Sequence, residues 1–145
     1  MRARPQRKEI KMLKVLPIQT KTEQELACSR IGVPYKKELL AYAATVDEEL
    51  VGVCQFRLGE DGGEIFDLAE MPGVDDFEAM FIMGRATLNF IDLCGVHRAF
   101  YRGDLHDESL IRAIGFKKNA DGIYEIDLEG FFTEPCKRHK NEENK

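Results

Sequence analysis

Residues 77–94 constrain this chain more than any other stretch. Their polar positions Glu78, Arg85, Asn89 and Asp92 recur at spacings of seven, four and three. On a 3.6-residue period these form one narrow stripe along an otherwise apolar cylinder. A helix so nearly apolar all round must be buried on more than one side. It needs a sheet on one flank and a second helix, or a partner subunit, on the other. The second choice admits a homodimer. Gly95 follows as a left-handed stop.

The flanking sequence supplies the sheet. Residues 12–18 read as a first strand. Thr20 with Glu23, and Thr22 with Glu25, offer two overlapping capping boxes for a helix to about Ile31, which Gly32 and Pro34 end. Residues 39–46, 50–58 and 64–70 are predicted strands separated by short turns, which requires antiparallel pairing. Residues 96–101 form a strand reached through the long helix, so it can lie parallel to residues 64–70. Asp104 or Asp107 can cap a short helix over Glu108–Ile114, with Gly115 as its stop. Residues 116–128 read as a hairpin turning at Asn119-Ala120-Asp121-Gly122.

At 145 residues and 43% apolar content, the chain has enough core for one domain over residues 12–134. Its net charge of −5 is uneven: residues 1–14 carry +5 and residues 137–145 carry +2, leaving −12 between them. Residues 1–11 read as a flexible basic extension, and residues 135–145 as a charged tail without apolar content. An acidic body argues against a nucleic-acid partner, whose affinity rests on phosphate neutralisation. No apolar run reaches the roughly 20 residues that span a bilayer, and Lys21, Glu23 and Glu25 interrupt any signal-like stretch. A soluble cytoplasmic protein is expected. Cys28, Cys54, Cys94 and Cys136 form no Cys-x-x-Cys pair, so they read as small buried hydrophobes rather than metal ligands or nucleophiles.

Three segments carry a resemblance to a known family. Leu50-Val51-Gly52-Val53-Cys54-Gln55-Phe56 follows an acidic turn. Residues 64–95 combine a strand, a Pro-containing loop, a long helix and a glycine. Ser109-Leu110-Ile111-Arg112-Ala113-Ile114-Gly115-Phe116 ends on Gly-Phe. In this order they resemble the GNAT N-acetyltransferase superfamily over about residues 12–130. The resemblance implies an α/β (mixed α+β) fold: a mixed, mostly antiparallel sheet of about six to seven strands flanked by helices on both faces. It implies a splay between the fourth and fifth strands that holds acetyl-CoA, with the pyrophosphate at the N-terminus of the long helix, where free amides and the helix dipole attract anions. It also implies direct acetyl transfer to an amine of a small molecule or peptide, which needs a base for the amine, amide donors for the thioester carbonyl and an acid for the thiolate.

The departures from the family are as specific. The loop reads Met71-Pro72-Gly73-Val74-Asp75-Asp76-Phe77-Glu78. The family places a Gln or Arg there, then glycines. Aligned on Pro72, those places fall on Asp75, Glu78 and Met80; shifted by one, on Val74, Phe77 and Ala79. The carboxylates occupy the niche that a phosphate would take, at a cost of about 1 kcal/mol per like-charge pair in a wet site. The family's acid, a tyrosine, is replaced by Ile111, leaving Tyr101 and Tyr124 as stand-ins.

On this reading the cofactor-binding candidates are Met71, Gly73, Val74, Asp76, Phe77 and Ala79, and the catalytic candidates are Glu70 as base and Tyr124 as acid. Strict alternation puts Glu64 and Glu70 on one strand face and Asp67 on the other. Each reads more readily as a solvated strand carboxylate. His97 beside Arg98 reads as a base or as a hydrogen-bonded surface histidine. His106 with Asp104 and Asp107 reads as a metal set or a solvated cap cluster. Two functions follow: an acetyl-CoA-dependent N-acyltransferase, or a GNAT-fold ligand-binding or interaction module without CoA binding.

Overall fold

The computed structural model describes residues 11–132. The expectations for residues 1–10, for the tail from residue 135 and for Cys136 lie outside them.

Seven strands form one sheet in the order β1-β2-β3-β4-β5-β7-β6. They are β1 (Leu13–Pro17), β2 (Leu40–Val46), β3 (Glu49–Leu58), β4 (Gly63–Glu70), β5 (Arg98–Tyr101), β6 (Lys117–Lys118) and β7 (Tyr124–Asp127). Three helices complete the chain: α1 (Lys21–Ile31), α2 (Phe77–Leu93) and α3 (Glu108–Ile114). The first four strands are an antiparallel meander, β4 and β5 run parallel, and β5, β7 and β6 are antiparallel. The fold class read from the sequence is the one found.

Local chemistry explains the boundaries. Thr20 accepts the amide of Glu23 at 3.1 Å, so the first of the two capping boxes starts α1. Asp47 and Glu48 both adopt positive φ, 52° and 72°, the two-residue turn whose twist suits a hairpin. Asp107, not Asp104, caps α3 by accepting the amide of Leu110 at 3.2 Å.

The helices cover both faces. Cys28 and Ile31 of α1 pack on Ala41 and Val53. On the other face, Met80, Met83, Leu88 and Ile91 of α2 join Phe56 and Ile65 of the sheet and Ile111 and Ile114 of α3. The second flank of α2 is therefore covered within the chain, by α3. Gly84 permits that crossing: a Cβ there would lie 2.5 Å from Ile114 Cδ1.

One expectation about the sheet is overturned. Gln55 pairs with Asp67 but the next residue, Phe56, pairs with Ile65, so Phe66 is an extra residue in β4. A bulge of this kind reverses the alternation. Glu64 and Asp67 therefore share the α1 face, while Glu70 turns to the α2 face, contrary to strict alternation. A second correction concerns Cys94, which is exposed at the C-cap of α2 rather than buried. Cys28 and Cys54 are buried, and burial pushes their thiols up to about 11 and about 12.

Candidate functional site

The parallel pair β4–β5 is short. It spans Gly63–Ile65 against Ala99–Tyr101, and the amide of Arg102 adds one last bond to Ile65 O at 2.8 Å. Beyond that point β4 continues to Glu70 while the chain after β5 turns away at Gly103. The two backbones touch there: a Cβ on Gly103 would lie 2.7 Å from Phe66 O. The sheet thus splays, and a cleft of about 360 Å³ opens in the gap. Its walls are residues 66–70 of β4, Tyr101, the loop residues Asp104, His106 and Asp107, Met80 of α2, Leu110 and Ile111 of α3, and Ile31, Gly32 and Val33 at the end of α1. The edge of residues 66–70 that faces away from β3 lies beyond the β4–β5 ladder and offers main-chain donors and acceptors to a ligand.

The loop from β4 to α2 begins with a tight turn. Val74 N–H donates to Met71 O at 3.0 Å, and Gly73 between them has φ 87°, as Pro at the second place and Gly at the third of such a turn require. The helix then caps itself with carboxylates. Glu70 Oε2 accepts the amide of Asp76 at 2.6 Å, and Asp76 Oδ1 accepts the amide of Ala79 at 3.0 Å. The first-turn amides of Phe77 and Glu78 make no hydrogen bond among the described residues.

The six loop candidates meet in one place but offer different things. Met71 packs on the α1 core and Val74 on the α2 core. Ala79 is buried. Asp76 is spent on its own helix. Gly73 and Phe77 are the exposed members, Phe77 at 47%. Among the described residues, the backbone amides of Gly73, Asp75, Phe77 and Glu78 in this loop make no hydrogen bond and stand at exposed positions.

The two catalytic candidates are separated. Glu70 lines the cleft. Tyr124 stands on β7 with its ring buried, and its hydroxyl donates to Glu108 Oε2 at 2.6 Å. That bond, with burial, pushes the phenol up. The tyrosine that lines the cleft is Tyr101, whose hydroxyl donates to Asp104 O at 2.6 Å and whose phenol burial also pushes up. Ile111, in the place of the family tyrosine, closes the cleft with apolar surface. Sequence spacing gave no means of choosing between the tyrosines, because the choice depends on which strand borders the splay.

The remaining titratable candidates have other partners. Partial burial would raise the Glu64 carboxyl, but hydrogen bonds from Arg57 and Arg102 outweigh it and hold the group below its ordinary value. Among the described residues no three His, Cys, Asp or Glu side chains converge as a metal set. No described helix is long and apolar enough to cross a membrane.

His97 lies outside the cleft, with Nδ1 2.6 Å from Asp92 Oδ1. That hydrogen bond, helped by the nearby carboxylates of Glu129 and Asp127, raises its pKa above the ordinary 6.5. A raised histidine stabilises the fold fully below 6.5, and the contribution is lost as pH rises through the folded value. Melting temperature is therefore expected to fall more steeply over about pH 6 to 8 in the native chain than in His97→Asn. Equal slopes would show that the pair does not couple to folding.

No family model matches the chain, and no curated protein matches it. Solved structures do. The ribosomal-protein-S18-alanine N-acetyltransferase of Escherichia coli superposes with a TM-score of 0.63 at 13% identity, over 81% of this chain and 94% of that one. The PaiA N-acetyltransferase of Thermoplasma acidophilum, in complex with coenzyme A, gives 0.62 at 13%, over 80% and 99%. N-acetylglutamate synthase of Neisseria gonorrhoeae, complexed with coenzyme A and N-acetylglutamate, gives 0.64 at 14%, over 83% of this chain but 36% of that one. At such identities the likeness is one of architecture, and with the splayed strands and the element order it establishes that this chain has the GNAT N-acetyltransferase fold.

Proposed function

We propose that the chain is an N-acyltransferase that takes an acetyl group from acetyl-CoA and gives it to an amine. The observation that carries this reading is the splay. A mixed sheet that opens between β4 and β5 onto an unpaired strand edge provides a slot for an extended, amide-bearing chain. The helix N-terminus lies at the far end of β4 for that chain's phosphates. Three structural neighbours carry coenzyme A.

The residues of the cleft fit the chemistry. An acceptor ammonium loses a proton to Glu70, whose Oε1 is not used on the loop. The amine nitrogen bonds to the thioester carbonyl carbon while β4 amides hold the carbonyl oxygen. The carbon–sulfur bond then breaks, the departing sulfur takes a proton from Tyr101, which lines the cleft, and the second proton that leaves the nitrogen returns through water to the Tyr101 oxygen, so that amide and thiol both leave neutral.

A second reading has its own observation. Glu70 and Asp76 already satisfy two amides that a pyrophosphate would seek, which favours a GNAT-fold module without CoA binding. The two separate on one titration at low salt. On the transferase reading, millimolar acetyl-CoA raises the melting temperature by about 2–4 °C and free thiol appears when an amine is added. An unchanged melting temperature selects the module.

A further inference from the structure

We propose that Gln55 is a positioning residue of the cleft. Its buried amide clips the segment after α1 to β4, and so sets how far that wall stands from the strand. The word positioning rests on the transfer reading above, on which Gln55 touches no reacting atom. The clip itself rests on geometry alone.

Residues 33–39 join α1 to β2 without forming a helix or a strand. Val33, at their start, lines the cleft, and so does Asp67 of β4. The segment makes two main-chain bonds: the Val33 amide donates to Cys28 O at 3.0 Å and the Leu39 amide to Lys36 O at 3.1 Å. Side chains beneath it supply the other fastenings. Gln55 Nε2 donates to Pro34 O at 2.9 Å, and Gln55 Oε1 accepts the amide of Lys36 at 3.3 Å. Gln24 Nε2 donates to Leu39 O at 3.3 Å. The second proton of Gln55 Nε2 goes to Asp67 Oδ2 at 2.7 Å, directly across the β3–β4 ladder. One amide thus holds two walls that come from different elements.

That amide has a single orientation. Lys21 Nζ donates to Gln24 Oε1 at 3.1 Å, Gln24 Nε2 to Gln55 Oε1 at 2.9 Å, and Gln55 Nε2 to Asp67. The bonds run one way from an ammonium to a carboxylate, so each dipole strengthens the next. Turning Gln55 over would set two NH2 groups face to face and its oxygen against Asp67. Gln55 is 0% exposed and Gln24 2%, so bulk water does not replace a lost partner. Val53, two residues earlier on the same face, packs on α1 with apolar surface alone. An apolar residue at 55 could do the same, but it would leave Pro34 O and the Lys36 amide without their partner. The Lys36 ion pair to Asp67, at 3.7 Å and partly exposed, is too weak to hold the segment by itself.

The test is hydrogen exchange on the full chain, read amide by amide, in the native protein, Gln55→Leu and Gln24→Leu. The amides of Val33 and Leu39 report the segment, because both substitutions leave their acceptors in place. In Gln55→Leu they are expected to exchange about tenfold faster or more. Gln24→Leu keeps the bonds of Gln55 to Pro34 and Asp67, so its increase should be smaller; it carries the test where Gln55→Leu does not fold. The increase must exceed that of the slowest amides of β3 and α2, since a purely structural role would raise all of them together. Coenzyme A should bind Gln55→Leu within about threefold of native, because the free edge of β4 and the start of α2 lie outside the clip. Val33 and Leu39 amides that stay unchanged, or rise only in step with the core, would overturn the inference. A tenfold or greater loss of coenzyme A affinity would also overturn it, by showing that Gln55 serves β4 itself. Local opening in a chain that binds no coenzyme A even in its native form would keep the clip and locate the failure in the transfer reading.

Discussion

Glu70→Ala is expected to tighten coenzyme A binding about tenfold while slowing acyl transfer by about 10²–10⁴. The two effects come from the two oxygens of one carboxylate. Oε2 holds the amide of Asp76 at 2.6 Å, at the entrance to α2. Removing it frees that donor for a phosphate, and a charge-assisted hydrogen bond of this kind contributes about 1.5–3 kcal/mol. It also removes a like charge beside the pyrophosphate, about 1 kcal/mol in a wet site. Some of this gain offsets the ordering of a loop that Glu70 no longer pins. The other oxygen is the proposed base, and its loss falls on turnover. Glu70→Gln separates the terms: it removes the charge but keeps an acceptor for Asp76, so its gain in affinity should be smaller. Weaker CoA binding in Glu70→Ala would refute the repulsion argument, and unchanged turnover would remove Glu70 as base.

Phe56→Ala is expected to cost about 3–5 kcal/mol of folding stability, read from the midpoint of urea unfolding at constant slope. Phe56 is 1% exposed at the centre of the sheet. Its ring stacks on Tyr42 at 6.1 Å between centroids and meets Phe90 of α2 edge-on at 5.7 Å. Truncation leaves a cavity between β3 and the long helix that neither neighbour can fill without leaving its rotamer. Out of a total of about 5–15 kcal/mol, that is a large fraction. Phe77, with 47% of its surface exposed at the start of α2, is the control: its alanine variant should lie within about 1 kcal/mol of native. A small effect at Phe56 would mean that α2 does not press on the sheet as described.

The fold was legible where periodicity and turn chemistry spoke for themselves. The narrow polar stripe of residues 77–94, the glycine stops after α2 and α3, and the Asn119 hairpin each report a local geometry directly. The site was legible only in part. The acidity of the loop is plain in Asp75, Asp76 and Glu78, but the carboxylate that closes on the loop amide is Glu70, six residues from its partner across a strand end. The extra residue at Phe66 left no mark in the sequence, since no glycine or proline signals it, and it reversed the faces assigned to Asp67 and Glu70. Gln55 read as an ordinary strand residue. Its role emerges only when Pro34, Gln24 and Asp67 are brought around it by three different elements.

The most direct test of the central claim is a map of backbone amide shifts during titration with coenzyme A at low salt. Saturable changes are expected in residues 66–70 along the free edge of β4 and in residues 73–78 at the start of α2. The predicted affinity is on the order of 100 μM, weak because carboxylates share the site. Silence of both segments at millimolar ligand, or changes confined to another surface, would contradict it.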